Sequence, residues 1–121
     1  MNRFTASSIV GRVDAGEALD DLGRLSAEIE TAAIVDTAGA PVAHTPGADG
    51  VRLARTAAEL LELAAAVDPA RPVERVEVRL GSTTVFVVCG ADHAVIATTA
   101  AETPAALVVH DLRACLAVVD A

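Results

Sequence analysis

Few residues in this chain could carry acid–base, nucleophilic or metal chemistry, so their spacing decides whether they do. His93 stands beside Asp92, but in Gly90-Ala91-Asp92-His93, a stretch that reads as a turn in which Asp is a turn-former and His is solvated. His110 and Asp111 fall on a helical pattern, where neighbours diverge by about 100° and cannot act as a pair. His44 is alone near a short strand, and three histidines split among strand, turn and helix have no metal-ligand spacing. Cys89 and Cys115 would make a redox pair only if the last helix laid its sulfur against that strand. The simpler reading is two small apolar side chains in a core. A hydrolase built on Cys89 with a histidine would need that thiol exposed and reactive. Thr37 to Pro41, TAGAP, lacks the Gly-Lys-Ser/Thr ending of a phosphate loop and does not lead into a helix. Ser7-Ser8 has no base nearby. The expectation is therefore a chain with no catalytic residue, no cofactor and no metal.

Composition narrows the remaining classes. The 121 residues are enough for one small domain, and 53% apolar content excludes wholesale disorder. Seventeen acidic residues against nine basic ones give a net charge of −8, which repels phosphate backbones and anionic lipid. Phe4 and Phe86 are the only aromatics, too few for stacking on bases. Nucleic acid and membrane insertion are accordingly excluded as partners, since no apolar run approaches the roughly 20 residues of a membrane helix. Met1 to Gly16 has too short an apolar stretch for a signal peptide, and a cytoplasmic location is expected.

The elements that position these residues follow from patterning. Residues 1–13 are weakly patterned and read as an arm, leaving 14–121 as a single domain. Asp14 with Glu17 resembles a capping box for a first helix whose apolar face is Ala18, Leu22, Leu25 and Ile29. Ala32 to Val35 and Pro41 to His44 read as a hairpin around Asp36-Thr37-Ala38-Gly39, with Pro41 confining its strand to a sheet edge. A long helix follows over Val51 to Val67. Arg52, Arg55, Thr56, Glu59 and Glu62 make one narrow polar stripe, and Arg55 with Glu59 has ion-pair spacing. Leu53, Ala57, Leu60, Ala64 and Val67 lie opposite, with Leu61 on one flank and Leu63 on the other. That apolar arc exceeds the roughly 100° needed to lie on one sheet, so a second cover is required, and another copy of the helix is the simplest one. Val73 to Leu80 alternates, with Val76, Val78 and Leu80 on one face and Arg75, Glu77 and Arg79 on the other. Gly81-Ser82 turns into a buried strand, Thr83 to Cys89, followed by Ala94 to Thr99. Thr103 caps a last helix with Pro104 at its first position. Val108, Leu112, Cys115, Leu116 and Val119 face inward, with His110, Arg113 and Asp120 on the opposite stripe. Five mostly antiparallel strands with helices on both faces make an α+β domain.

This ordered set, with AAIVDTAGAPVAHT, RLARTAAELLELAAAV, VERVEVRLG and GADHAVIATT, resembles the roadblock family of dynein-light-chain-like domains, including bacterial GTPase regulators. The resemblance runs over Asp14 to Asp120. It implies a five-stranded antiparallel sheet with the first and last helices on one face and the middle helix on the other. It also implies a homodimer joined through the third strand and middle helix, which here places Leu53, Ala57, Leu60, Leu61, Ala64, Arg75, Val76, Glu77, Val78 and Arg79 at the interface. A Ras-like small GTPase is the implied partner, held by a non-catalytic regulator or scaffold. Two apposed middle helices would merge Arg52, Arg55, Glu59 and Glu62 into a docking platform for it.

The strand itself restricts the two-fold axis. An axis through Glu77 opposes like charges, whereas one at Val76 pairs Arg75 with Glu77 twice and one at Val78 pairs Glu77 with Arg79 twice. The rival class is a PAS- or profilin-like small-molecule sensor, which needs a lined cavity that an alanine-rich core with two Phe residues is poorly able to supply.

Overall fold

The computed structural model describes residues 15–121; the expected arm and the Asp14 cap lie outside them. A first helix, α1, occupies residues 15–25. Then come β1 (Ile29–Asp36), β2 (Pro41–His44), α2 (Gly50–Val67), β3 (Arg75–Leu80), β4 (Thr83–Cys89), β5 (His93–Ala100) and α3 (Ala105–Val119). The strands form one antiparallel sheet in the order β2-β1-β5-β4-β3.

Strand alternation sorts the core into two faces. Ala32, Ile34, Phe86, Val88, Val95 and Ala97 point to the side covered by α1 and α3. Ala33, Val35, Val85, Val87, Ala94 and Ile96 point to the side covered by α2 alone. The α+β arrangement expected from the sequence is the one observed. No helix among the described residues is long and apolar enough to cross a membrane.

The β1–β2 turn has the expected chemistry. Asp36 accepts hydrogen bonds from the Ala38 and Ala40 amides at 2.9 and 3.0 Å, and Gly39 takes φ +84°, where a side chain would be strained. Pro41 sits on an edge strand, where its missing N–H costs no ladder bond. Asp49 caps α2 by accepting from the Arg52 amide at 3.1 Å. Gly50 is required there, since a Cβ would meet the His44 ring 2.8 Å away.

Three expectations are corrected. The first helix ends at residue 25: Leu25 is 82% exposed and Ile29 opens β1, so the inward face is Ala15, Ala18, Leu19 and Leu22. Ile29 already pairs with Thr99, and the Thr31 and Thr98 hydroxyls meet at 2.6 Å, so the strand claims residues that a helical repeat also fits. Pro104, not Thr103, is the N-cap of α3, and no side chain caps it. The Thr103 amide instead closes a turn on the Ala100 carbonyl at 3.3 Å. Arg55 and Glu59 form no ion pair with each other; both are exposed to solvent, where such pairs are worth little.

Candidate functional site

The titratable groups singled out by sequence are placed apart. Cys89 belongs to the α2 face, beside Val35, Ala54 and Ala94, whereas Cys115 is buried under α1 and α3. A sheet therefore separates the two sulfurs, which removes the redox pair. Burial pushes both thiols up, Cys115 to about 11 with the Asp21 carboxylate adding to the effect, so neither is an activated nucleophile at neutral pH.

His93 is not a solvated turn residue, and Asp92 is not its partner. Its Nδ1 lies 2.7 Å from Asp120 Oδ1, while Asp120 Oδ2 accepts from the Ala91 amide at 2.8 Å. Asp120, which the helical repeat assigns to the outer stripe, is instead half-buried at the C-terminal end of α3. The pair ties α3 to the β4–β5 turn on the face away from Cys89, so it supplies no base to that thiol. A helical wheel cannot show this contact, because Asp120 caps the last turn and is aimed by the turn it meets.

What remains open is a surface. β3 is an edge strand, so one row of its backbone N–H and C=O groups has no partner in the protomer. Val76 packs under α2 together with Leu53, Leu60 and Leu61, all of them partly exposed. Leu63 and Val67 continue this side of α2 at helical spacing from Leu60 and are 67% and 85% exposed, and Leu80 on β3 is 59% exposed. The sequence-derived interface included Ala57 but omitted Leu63, Val67 and Leu80. Ala57 is fully buried against Ala33, Val85, Val87 and Ile96, so a second copy cannot touch it. The apolar arc was legible from spacing, but which part of it the sheet consumes was not.

The remaining interface residues divide by sheet face. Ala64 is partly exposed near the β3 end of α2, and Val78 is partly exposed on β3. Arg75, Glu77 and Arg79 are exposed on the opposite face of the strand; Glu77 pairs with Phe86, whose ring lies under α1 and α3. The Arg79 guanidinium donates to the Ala101 carbonyl at 2.6 Å, a contact that Arg75 and Glu77 do not match among the described residues. Arg52, Arg55, Glu59 and Glu62 are exposed along the outer side of α2, with Thr56 between them bonding back to the Arg52 carbonyl at 3.0 Å.

On the other flank of α2 lies a groove of about 400 Å³, lined by small apolar side chains and by the backbone of two turns. It is open to the surface and has no aromatic wall, unlike the enclosed pockets that small-molecule sensors use.

No family model matches the chain, and no curated protein matches it in sequence. Solved structures do match. A roadblock/LC7 domain from Streptomyces avermitilis is 22% identical with a TM-score of 0.67, over 77% of this chain and 83% of that one. The gliding protein MglB from Thermus thermophilus is 20% identical with a TM-score of 0.64, over 91% and 89%. Profilin II from Acanthamoeba castellanii is 16% identical with a TM-score of 0.51, over 74% and 82%. Sheet order, the split of helices between faces and these matches lead to one conclusion: the chain has the roadblock/LC7 fold.

Proposed function

We propose that this protein is a homodimeric, non-catalytic regulator or scaffold for a Ras-like small GTPase in a bacterial signalling system. The observation that carries the reading is the open β3 edge lying next to the exposed leucine and valine side of α2. Charged edges ordinarily discourage strand addition. Here the charges alternate as Arg75-Glu77-Arg79, which repels many strands but suits an antiparallel copy of itself. Because Arg79 is engaged by Ala101 while Arg75 is not, an axis at Val76 is favoured over one at Val78. Such a dimer brings two α2 helices side by side and merges Arg52, Arg55, Glu59 and Glu62 of both copies into one charged platform.

The platform would act by differential binding, holding one nucleotide state of the GTPase more tightly than the other and so shifting its switch. Similarity to MglB, a gliding protein, supports a place in such a system. The test is capture of a GTPase encoded beside this chain, loaded with GDP or with a non-hydrolysable GTP analogue. State-dependent capture that is lost in Arg52→Glu/Arg55→Glu supports the reading, and absence of capture in both states refutes it.

A further inference from the structure

Of the large apolar side chains left exposed, Leu63, Val67 and Leu80 belong to the α2 side, but Leu25, Leu107 and Val118 stand on the helices across the sheet. α1 ends three residues before Ile29, and α3 starts soon after Ala100, at the same end of the sheet because Ile29 pairs with Thr99. The two helices therefore run antiparallel, and a cleft of about 180 Å³ opens between them. Its floor is the buried Ala18, Leu22 and Cys115; Asp21 and Leu25 form one wall, and Asp111, Ala114 and Val118 the other.

Helical spacing sets Glu17, Asp21 and Leu25 in one row on α1, and Leu107, Asp111 and Val118 in one row on α3. Because the rows run in opposite directions, Leu25 and Val118 mark the two ends of the cleft and the Asp21 and Asp111 carboxylates lie between them. Asp21 also meets Arg24 one turn on, a contact worth little where both side chains are exposed. Its charge reaches the floor: burial, with the Asp21 carboxylate adding to it, pushes the Cys115 thiol up to about 11. Exposed leucine and valine at the ends call for apolar cover, and the carboxylates between them call for a cation. A second copy of the chain cannot supply both, because it presents the same acids on this face and carries a net charge of −8. A seam between two helices has the shape that receives a third, and Leu107 to Val118 spans about 17 Å, or three turns.

We propose that the α1–α3 cleft docks a basic amphipathic helix of another protein, with arginine or lysine in its middle turn against Asp21 and Asp111 and leucine-sized side chains at its two ends over Leu25 and Val118. The site lies across the sheet from α2, so it depends neither on the GTPase reading nor on dimer formation.

The experiment titrates the full chain into a fluorescein-labelled, alanine-based peptide of about 15 residues, long enough to form a helix, and reads anisotropy. One face of the peptide carries Leu in the first and last turns and Arg in the middle turn; its counterpart has Glu in place of Arg. The Arg peptide is expected to bind at least about tenfold more tightly than the Glu peptide, and less tightly in about 1 M salt. Asp21→Arg/Asp111→Arg should invert that preference, and Leu25→Ser/Val118→Ser should weaken binding about tenfold. Circular dichroism checks that each variant folds, and Leu63→Ser, on the α2 side, should leave the titration unchanged. Absence of saturable binding up to about 1 mM protein overturns the proposal. So does equal binding of the two peptides, or an unaltered preference in Asp21→Arg/Asp111→Arg. Self-association of the chain that is lost in Leu25→Ser/Val118→Ser also overturns it, by assigning this face to a second copy.

Discussion

Leu63 offers the sharpest test of whether a twin covers α2. It keeps 67% of its surface exposed in the protomer, whereas complete burial of a leucine is worth about 2–3 kcal/mol. Covering the exposed part therefore contributes about 1.5 kcal/mol per copy, and a two-fold interface counts it twice. Leu63→Ser should weaken the dimer by about 3 kcal/mol, or roughly 150-fold in dissociation constant. The fold should barely notice, because the residue lies outside all three core clusters and serine costs a helix only about 0.5 kcal/mol. Sedimentation equilibrium across a dilution series measures the first effect, and circular dichroism of the dissociated protomer checks the second. A dissociation constant within threefold of the parent chain would show that this side of α2 is not at the interface. A parent chain that stays monomeric at high concentration would refute the reasoning outright.

Three other outcomes follow from the same structure. Charge reversal at Arg75→Glu or Glu77→Arg alone should weaken the dimer several-fold, and the double variant should restore it if the axis lies at Val76; sedimentation again reads this, and failure of rescue excludes that register. Asp120→Ala removes both the His93 contact and the acceptor for the Ala91 amide, a loss of about 2 kcal/mol that relief of an acid at a helix C-terminus reduces to about 1.5, so the melting temperature should fall by about 5 °C. Gly90→Ala should do the same, because its Cβ would collide with that carboxylate. Cys115 holds its proton up to about pH 11 when folded but gives it up near pH 9 when unfolded, so stability should decline as pH rises between those values. The chain has no Tyr or Lys to blur that window, and Cys89 is shifted in the same direction, so Cys115→Ala should lessen the decline and Cys89→Ala/Cys115→Ala should flatten it in urea melts taken at pH 8, 9 and 10.

Element order, the sheet class and the edge position of β2 were legible because each rests on local signals: Pro41, the Asp36–Gly39 turn, the valine alternation of β3 and the continuous apolar run of β4. The failures share a cause. Ile29 fits a helical repeat after Leu25 as well as it fits a strand, and only its partner Thr99, seventy residues away, decides between them. Asp120 looks like solvent-facing helix until the β4–β5 turn presents the His93 ring and the Ala91 amide to it. Ala57 and Leu63 are both apolar on one helix, and the sheet position alone determines that the first is consumed and the second left over. Long-range pairing supplies information that periodicity does not contain.

The two faces of the sheet are unequal, and that inequality leaves one of them incompletely covered. Two helices cover one side, bringing Leu19, Leu22, Leu112 and Leu116 down onto Phe86 and Ile34. A single alanine-rich helix covers the other, and its small inward residues, Ala54 and Ala57, let it sit close to the strands. Close approach is obtained at the expense of cover: α2 reaches every strand, both edge strands included, so the ground it leaves bare lies to either side of its path across the sheet. One flank is the β3 side with Leu63 and Val67, and the other is the groove over Cys89. Replacing Ala54 or Ala57 with leucine would lift the helix off the sheet rather than widen its cover, so this composition favours recruiting other polypeptide to finish the α2 face.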